Sequence, residues 1–344
     1  MKHAKLLLAV LLLLLTSGCA GEPLSGRAVV NTLYLDWNTT GWQAVLVYVT
    51  SSASADAGQA KPEALVLSGQ GATVADALQD AQSASPLTAF YGQNELLLLG
   101  PGAQGKAMYE ACVYLSNDSA GRPNMAVFGV QTLAEDWQPA SGEDRYALLR
   151  QLEQAAGESL YTQRLYRLAG AEAGILPCLE VDCRAGTAVP GDTRLFLGGQ
   201  CAAVWDREAT ALAALIEGQV RSVSLEASTG RGPVRYTLEL PLLGWEPSLD
   251  TLTLNARLSG YLKNLTDSGG LIHTGKQELA DEIAAQLEET ARRITRQTFG
   301  QGQDLLRMGF WLRSRDAAAC AELERAGRWY DPDRIEWEVR LRAL

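Results

Sequence analysis

The side chains most often used for chemistry are scarce in this chain. Its 344 residues include 2 His and 6 Cys. His3 lies in the apolar leader, so a Ser-His-Asp triad has only His273 to draw on. A His-rich metal site is excluded once the leader is removed. Besides Cys19 there are Cys112, Cys178, Cys183, Cys201 and Cys320. Five is an odd number, so at least one of these stays free or pairs outside the chain. Cys178 and Cys183 bracket Leu179-Glu180-Val181-Asp182 and are a possible local disulfide in an oxidising compartment. Zinc fits less well, because no CxxC and no nearby His accompany them. Separate buried thiols are the remaining reading, since Cys packs as a small hydrophobe. Gly69-Gln70-Gly71 begins like a phosphate-binding fingerprint, but Val74 stands at the third glycine position and no Lys follows. A tight turn capped by Thr73 is expected there instead. The residues call for no cofactor, no metal and no catalytic constellation.

Cys19 is the one residue with a specific chemical expectation. Lys2 and Lys5 precede a ten-residue apolar run, Leu6 to Leu15. That run is too short to span a bilayer, which takes about 20 apolar residues. Its length and charge order are those of a secretory signal over residues 1–18. The ending Thr16-Ser17-Gly18-Cys19 resembles a bacterial lipobox. The resemblance implies that the Cys19 thiol is alkylated with a diacylglyceryl group and becomes the first residue after cleavage. Two acyl chains, at about 0.8 kcal/mol per buried methylene, hold a body on membrane lipid without a spanning helix. Residues 19–27 then form a lipidated tether.

Composition narrows the partners. Forty acidic against 30 basic residues give a net charge of −10, which argues against nucleic acid. The apolar fraction of 47% is ordinary for packed domains. The length accommodates two or three of them.

The pattern along the chain predicts a multi-domain α/β (α+β) protein, with mixed sheets flanked by helices. An N-terminal α/β domain is expected over 28–170. It holds strands at 28–36, 43–50 and 65–67, a helix at 74–83 begun by Thr73, the leucine run Glu95 to Leu99, a helix at 104–115 and a strand at 125–130. Helical material is expected at 141–156 and 159–168. The Gly- and Pro-rich stretch that follows, with a hairpin at 193–205 and a helix at 207–216, reads as a small middle domain over 171–217. The C-terminal α/β domain, 218–344, holds strands at 220–227, 234–240 and 251–262. A long amphipathic helix follows at 275–298, with stripe Leu279, Ile283, Leu287, Ala291 and Ile294. A shorter helix spans 317–326. The period-two strand Ile335 to Leu341 closes the chain.

In this order the segments resemble the Ger(x)C family of spore germination proteins. The resemblance rests on Cys19 followed by a strand, and on Ser68-Gly69-Gln70-Gly71-Ala72-Thr73 with Phe90-Tyr91-Gly92-Gln93 and Leu98-Leu99-Gly100. It rests also on Thr193-Arg194-Leu195-Phe196 through Trp205-Asp206-Arg207-Glu208 to Glu217-Gly218, and on the long helix with Asp304 to Gly309, Trp329 and the last strand. The chain departs from the family's pattern around Leu115-Ser116-Asn117-Asp118 and at Arg342-Ala343-Leu344, so it would be a divergent member. The resemblance implies a non-enzymatic, lipid-anchored subunit of a germinant receptor. Such a subunit sits on the outer face of the spore inner membrane, beside two integral-membrane subunits, and serves nutrient-triggered germination. A lipid-anchored solute-binding protein is the alternative reading.

Overall fold

The computed structural model describes residues 27–52, 61–118, 121–137, 141–299, 303–327 and 331–344. Cys19, the leader, the tether up to residue 26, and Trp329 lie outside the described residues.

Two sheets organise the chain. The larger contains β1 (Arg27–Asn38), β2 (Gly41–Ser52), β3 (Lys61–Gly71), β5 (Leu96–Leu99), β6 (Ala126–Val130), β8 (Ala173–Asp182), β9 (Thr187–Leu197) and β10 (Gln200–Trp205), in the order β10-β9-β8-β6-β5-β1-β2-β3. Two short strands attach to it, β4 (Thr88–Phe90) on β1 and β7 (Gln163–Arg164) on β6. The middle strands β1, β5, β6 and β8 run parallel. Parallel strands are covered on both faces, and the leucine run shows it. Leu97 and Leu99 pack into a core with helices α1 (Val74–Ser83) and α2 (Lys106–Asn117). Leu96 and Leu98 alternate to the opposite face, beneath α3 (Gly142–Glu158). The result is three layers, helix, sheet and helix.

Local signals place the first helix. The Thr73 side chain accepts from the Asp76 amide at 3.1 Å, and the Asp76 carboxylate accepts from the Thr73 amide at 3.2 Å, a reciprocal capping box. Gly69 and Gly71 have a different role from the expected tight turn. Both lie in β3, and a Cβ on Gly69 would come within 2.1 Å of the Ala81 amide nitrogen in α1. They let helix and strand approach closely.

The expected middle domain over 171–217 does not stand apart. Strands β8, β9 and β10 extend the N-terminal sheet. Helix α5 (Arg207–Ile216) packs into the C-terminal core. The Gly- and Pro-rich stretch concealed β8, whose pairing with β9 shifts register between Pro177 and Leu179. Such an irregularity is where a strand tolerates Pro. The helical stretch expected over 159–168 shrinks to β7 and the single turn α4 (Leu165–Leu168).

The second sheet pairs β11 (Ser222–Thr229), β12 (Gly232–Ser248) and β13 (Thr253–Asp267) antiparallel. Strand β14 (Gly270–Leu271) pairs with one end of β13, and β15 (Ile335–Ala343) runs parallel to it over nine residue pairs. One face of β15 buries Ile335, Trp337, Val339 and Leu341, as its period-two pattern predicts. Helix α6 (Lys276–Phe299) lays the expected stripe across this sheet. Two short helices, α7 (Met308–Arg315) and α8 (Ala317–Arg325), complete the α-helices among the described residues. By the usual hydropathy criterion, none of the described helices is long and apolar enough to cross a membrane.

Candidate functional site: a polar cleft between the sheets

The two layered units meet along the segment that links α3 to β8. Helix α5 ends with Glu217 as its C-cap and Gly218 at φ +70°. The Gln219 amide bonds back to the Ala214 carbonyl at 2.8 Å, a Schellman-type reversal. That reversal brings Glu217 and Gln219 against residues 161–167. The Glu217 side chain is wholly enclosed. It accepts hydrogen bonds from the Tyr161 hydroxyl and from the Arg167 guanidinium, with which it forms an ion pair. Gln219 Oε1 accepts from the Thr162 amide at 2.8 Å. A buried carboxylate needs such partners to offset its lost hydration. Burial first, then the Glu217 charge, pushes the Tyr161 hydroxyl well above its ordinary range, so it remains a donor.

Beside this latch opens a cleft of about 320 Å³. Tyr166, Arg167, Gly174 and Ile175 line it from the first unit, and Asp304 and Arg307 from the second. Gly174 packs closely against α4, since a Cβ there would meet the Leu168 side chain at 2.5 Å. Gln163 also lines the cleft and is almost fully buried, with Oε1 unbonded among the described residues. The Asp304 carboxylate accepts from the Met308 and Gly309 amides, both at 2.7 Å, and so fixes the first turn of α7. Burial raises the Asp304 pKa, the three amides facing it oppose that shift, and Glu217 adds to it. Arg307 has a left-handed backbone, φ +56°, unusual for a residue with a Cβ. The cleft can hold a small polar molecule through acceptors, cations and a phenol. Neither His nor Cys lines it.

His273 is exposed just ahead of α6. Cys178 and Cys183 are both free, which corrects the possible disulfide. They are five residues apart along an extended segment, a span of about 16 Å, and an odd separation points them to opposite faces. A disulfide needs Cα atoms within about 7 Å. Burial pushes both thiols up to about 11, so neither is a ready nucleophile. Among the described residues no three His, Cys, Asp or Glu side chains are grouped to hold a metal ion.

Glu217, Tyr161, Arg167 and Asp304 were not singled out from sequence as site residues. Glu217-Gly218 entered only as the end of a stretch that carries the family resemblance, and nothing local announces a partner about fifty residues upstream.

Comparisons place this geometry among known proteins. Residues 22–157 match the family described as the spore germination protein N-terminal domain. A solved structure, the crystal structure of the GerBC protein, superimposes with a TM-score of 0.54 at 10% sequence identity, over 90% of this chain and 96% of that one. At that identity the likeness is one of fold. No curated protein matches by sequence.

Proposed function

From the match of residues 22–157 to the spore germination protein N-terminal domain and from the GerBC-like fold, we propose that the chain is a member of the Ger(x)C family and a lipid-anchored, non-enzymatic subunit of a germinant receptor. It works on the outer face of the spore inner membrane, beside two integral-membrane subunits, and helps turn a nutrient signal into germination. The observation that carries this reading is the match of residues 22–157 to the spore germination protein N-terminal domain, and the GerBC-like fold over 90% of the chain agrees with it. The cleft supports a structural role in part: Arg167 joins the two units through Glu217, and Asp304 is bound to amides of its own helix.

A solute-binding protein of a transporter would present two like lobes. Here one unit is a three-layer, partly parallel α/β body, and the other is a mainly antiparallel sheet under helices.

The test is Cys19→Ala in the full chain. The unlipidated protein leaves the membrane fraction, and spores carrying it lose their nutrient response. Full retention on membranes lacking the partner subunits overturns the anchor. An unchanged nutrient response overturns the receptor role.

A further inference from the structure

Strands β1, β5, β6 and β8 run parallel, so their first residues share one edge of the large sheet. Arg27 opens β1 on that edge. Ala173 and Gly174 open β8 on it, and Asp304 and Arg307 line a cleft with them. Helix α7 therefore starts at the edge from which the chain leads back to Cys19. Between β8 and β1 lie three strand spacings, about 14 Å. The eight residues from Cys19 to Arg27 reach at most about 29 Å. A lipid on Cys19 thus holds this edge within a short distance of the bilayer.

The same corner carries aromatic side chains that packing has not used. Helix α7 buries Met308 and Leu312 and leaves Phe310 and Trp311 at 54% and 38% exposure. Their rings meet edge-on at 5.7 Å. The Arg307 guanidinium lies 4.8 Å from the Phe310 ring centre. Tyr166, on the cleft's other wall, is 49% exposed. The helix contains no acidic residue and ends in Arg313 and Arg315. Arg313 is neutralised by Glu324, and the carboxylates of Asp304 and Asp316 are bound to backbone amides. Those two carboxylates keep their charge, so the corner is close to neutral where the chain as a whole carries −10, and an anionic bilayer repels it less than the surface at large. Aromatic rings of this kind settle at the headgroup level, and guanidinium pairs with phosphate.

We propose that Tyr166, Phe310 and Trp311, with Arg307, seat this corner of the protein in the headgroup layer of an anionic phospholipid bilayer. The proposal takes its orientation from the Cys19 anchor, and the experiment separates the two. Full-length lipidated protein is reconstituted into phosphatidylglycerol or phosphatidylcholine vesicles carrying shallow bromolipids. Subtracting the fluorescence of Trp311→Phe isolates the Trp311 signal. That signal is expected to fall at least twofold in phosphatidylglycerol and less in phosphatidylcholine. High salt or Arg307→Glu weakens the quenching. An unquenched Trp311 on vesicle-bound protein overturns the proposal, including the case where it becomes shielded only when integral-membrane subunits are added. Equal quenching in both lipids overturns its electrostatic half. Flotation reads the anchor independently. If the protein does not float, the anchor fails, and titration with excess bromolipid vesicles still decides the corner by whether Trp311 is quenched.

Discussion

Glu217 shows how much one side chain does in this molecule. It gathers a phenol, a guanidinium and, at 3.3 Å, the Gln219 amide around a carboxylate that water does not reach. Replacing it with Gln preserves shape and removes the charge. Arg167 is then left partly buried without a counter-ion. Breaking a fully buried pair costs 3–5 kcal/mol. The Arg167 side chain keeps 20% exposure, so Glu217→Gln is expected to cost about 2–3 kcal/mol. Urea unfolding checks this as a lowered midpoint with unchanged slope. A midpoint within error of the wild type would mean that the latch contributes nothing to holding the units together. At this scale little was legible in advance. The cysteines and the capping pair Thr73 and Asp76 carried local signals. A partnership among residues 161, 167 and 217 exists only once the fold has brought them together.

At the scale of elements, the contact of α1 with β3 depends on missing side chains. A Cβ on Gly69 would face the Ala81 nitrogen and the Ala77 carbonyl at 2.1 and 2.5 Å, and both are backbone atoms that cannot rotate away. Gly69→Val should therefore cost about 3 kcal/mol, the upper end of ordinary overpacking. Gly157→Ala in α3 is the matched control, because a Cβ there meets nothing within 4 Å. It should gain about 0.5–1 kcal/mol from helix propensity. Thermal melts of the two variants must move in opposite directions for this account to hold. Regular periodicity made the leucine strand, the stripe of α6 and the alternation of β15 legible in advance. Strand β8 was hidden because Pro177 and Gly174 interrupt its composition. Helix α7 was hidden because its Phe310 and Trp311 face water, so it has no apolar stripe to detect.

The whole molecule is less divided than its composition indicates. The C-terminal core takes in Ile175 and Leu195 from the large sheet, Trp205 from its edge and the length of α5. The Trp205 indole also donates to Gln297 of α6 at 2.7 Å. Units joined through a common core unfold together. Urea denaturation followed by far-ultraviolet dichroism and by tryptophan fluorescence should give coincident, single transitions. Two resolved steps would mean that the shared core is too weak to couple them. The boundary expected near residue 170 arose from a change in local composition. Composition cannot reveal that strands on both sides of such a change join one sheet.

Strand β15 lies parallel to β13 along nine pairs, yet a 24-residue helix and two shorter ones intervene between them. As the chain is synthesised, the β11–β13 meander emerges long before residues 335–343 arrive to cover its flank. Until then Leu254, Ala256, Leu258 and Leu262 lack part of their cover, and an unpaired strand edge invites association with other chains. Completion of this half thus waits on the last residues to be made, and losing 335–343 would leave the flank of β13 uncovered.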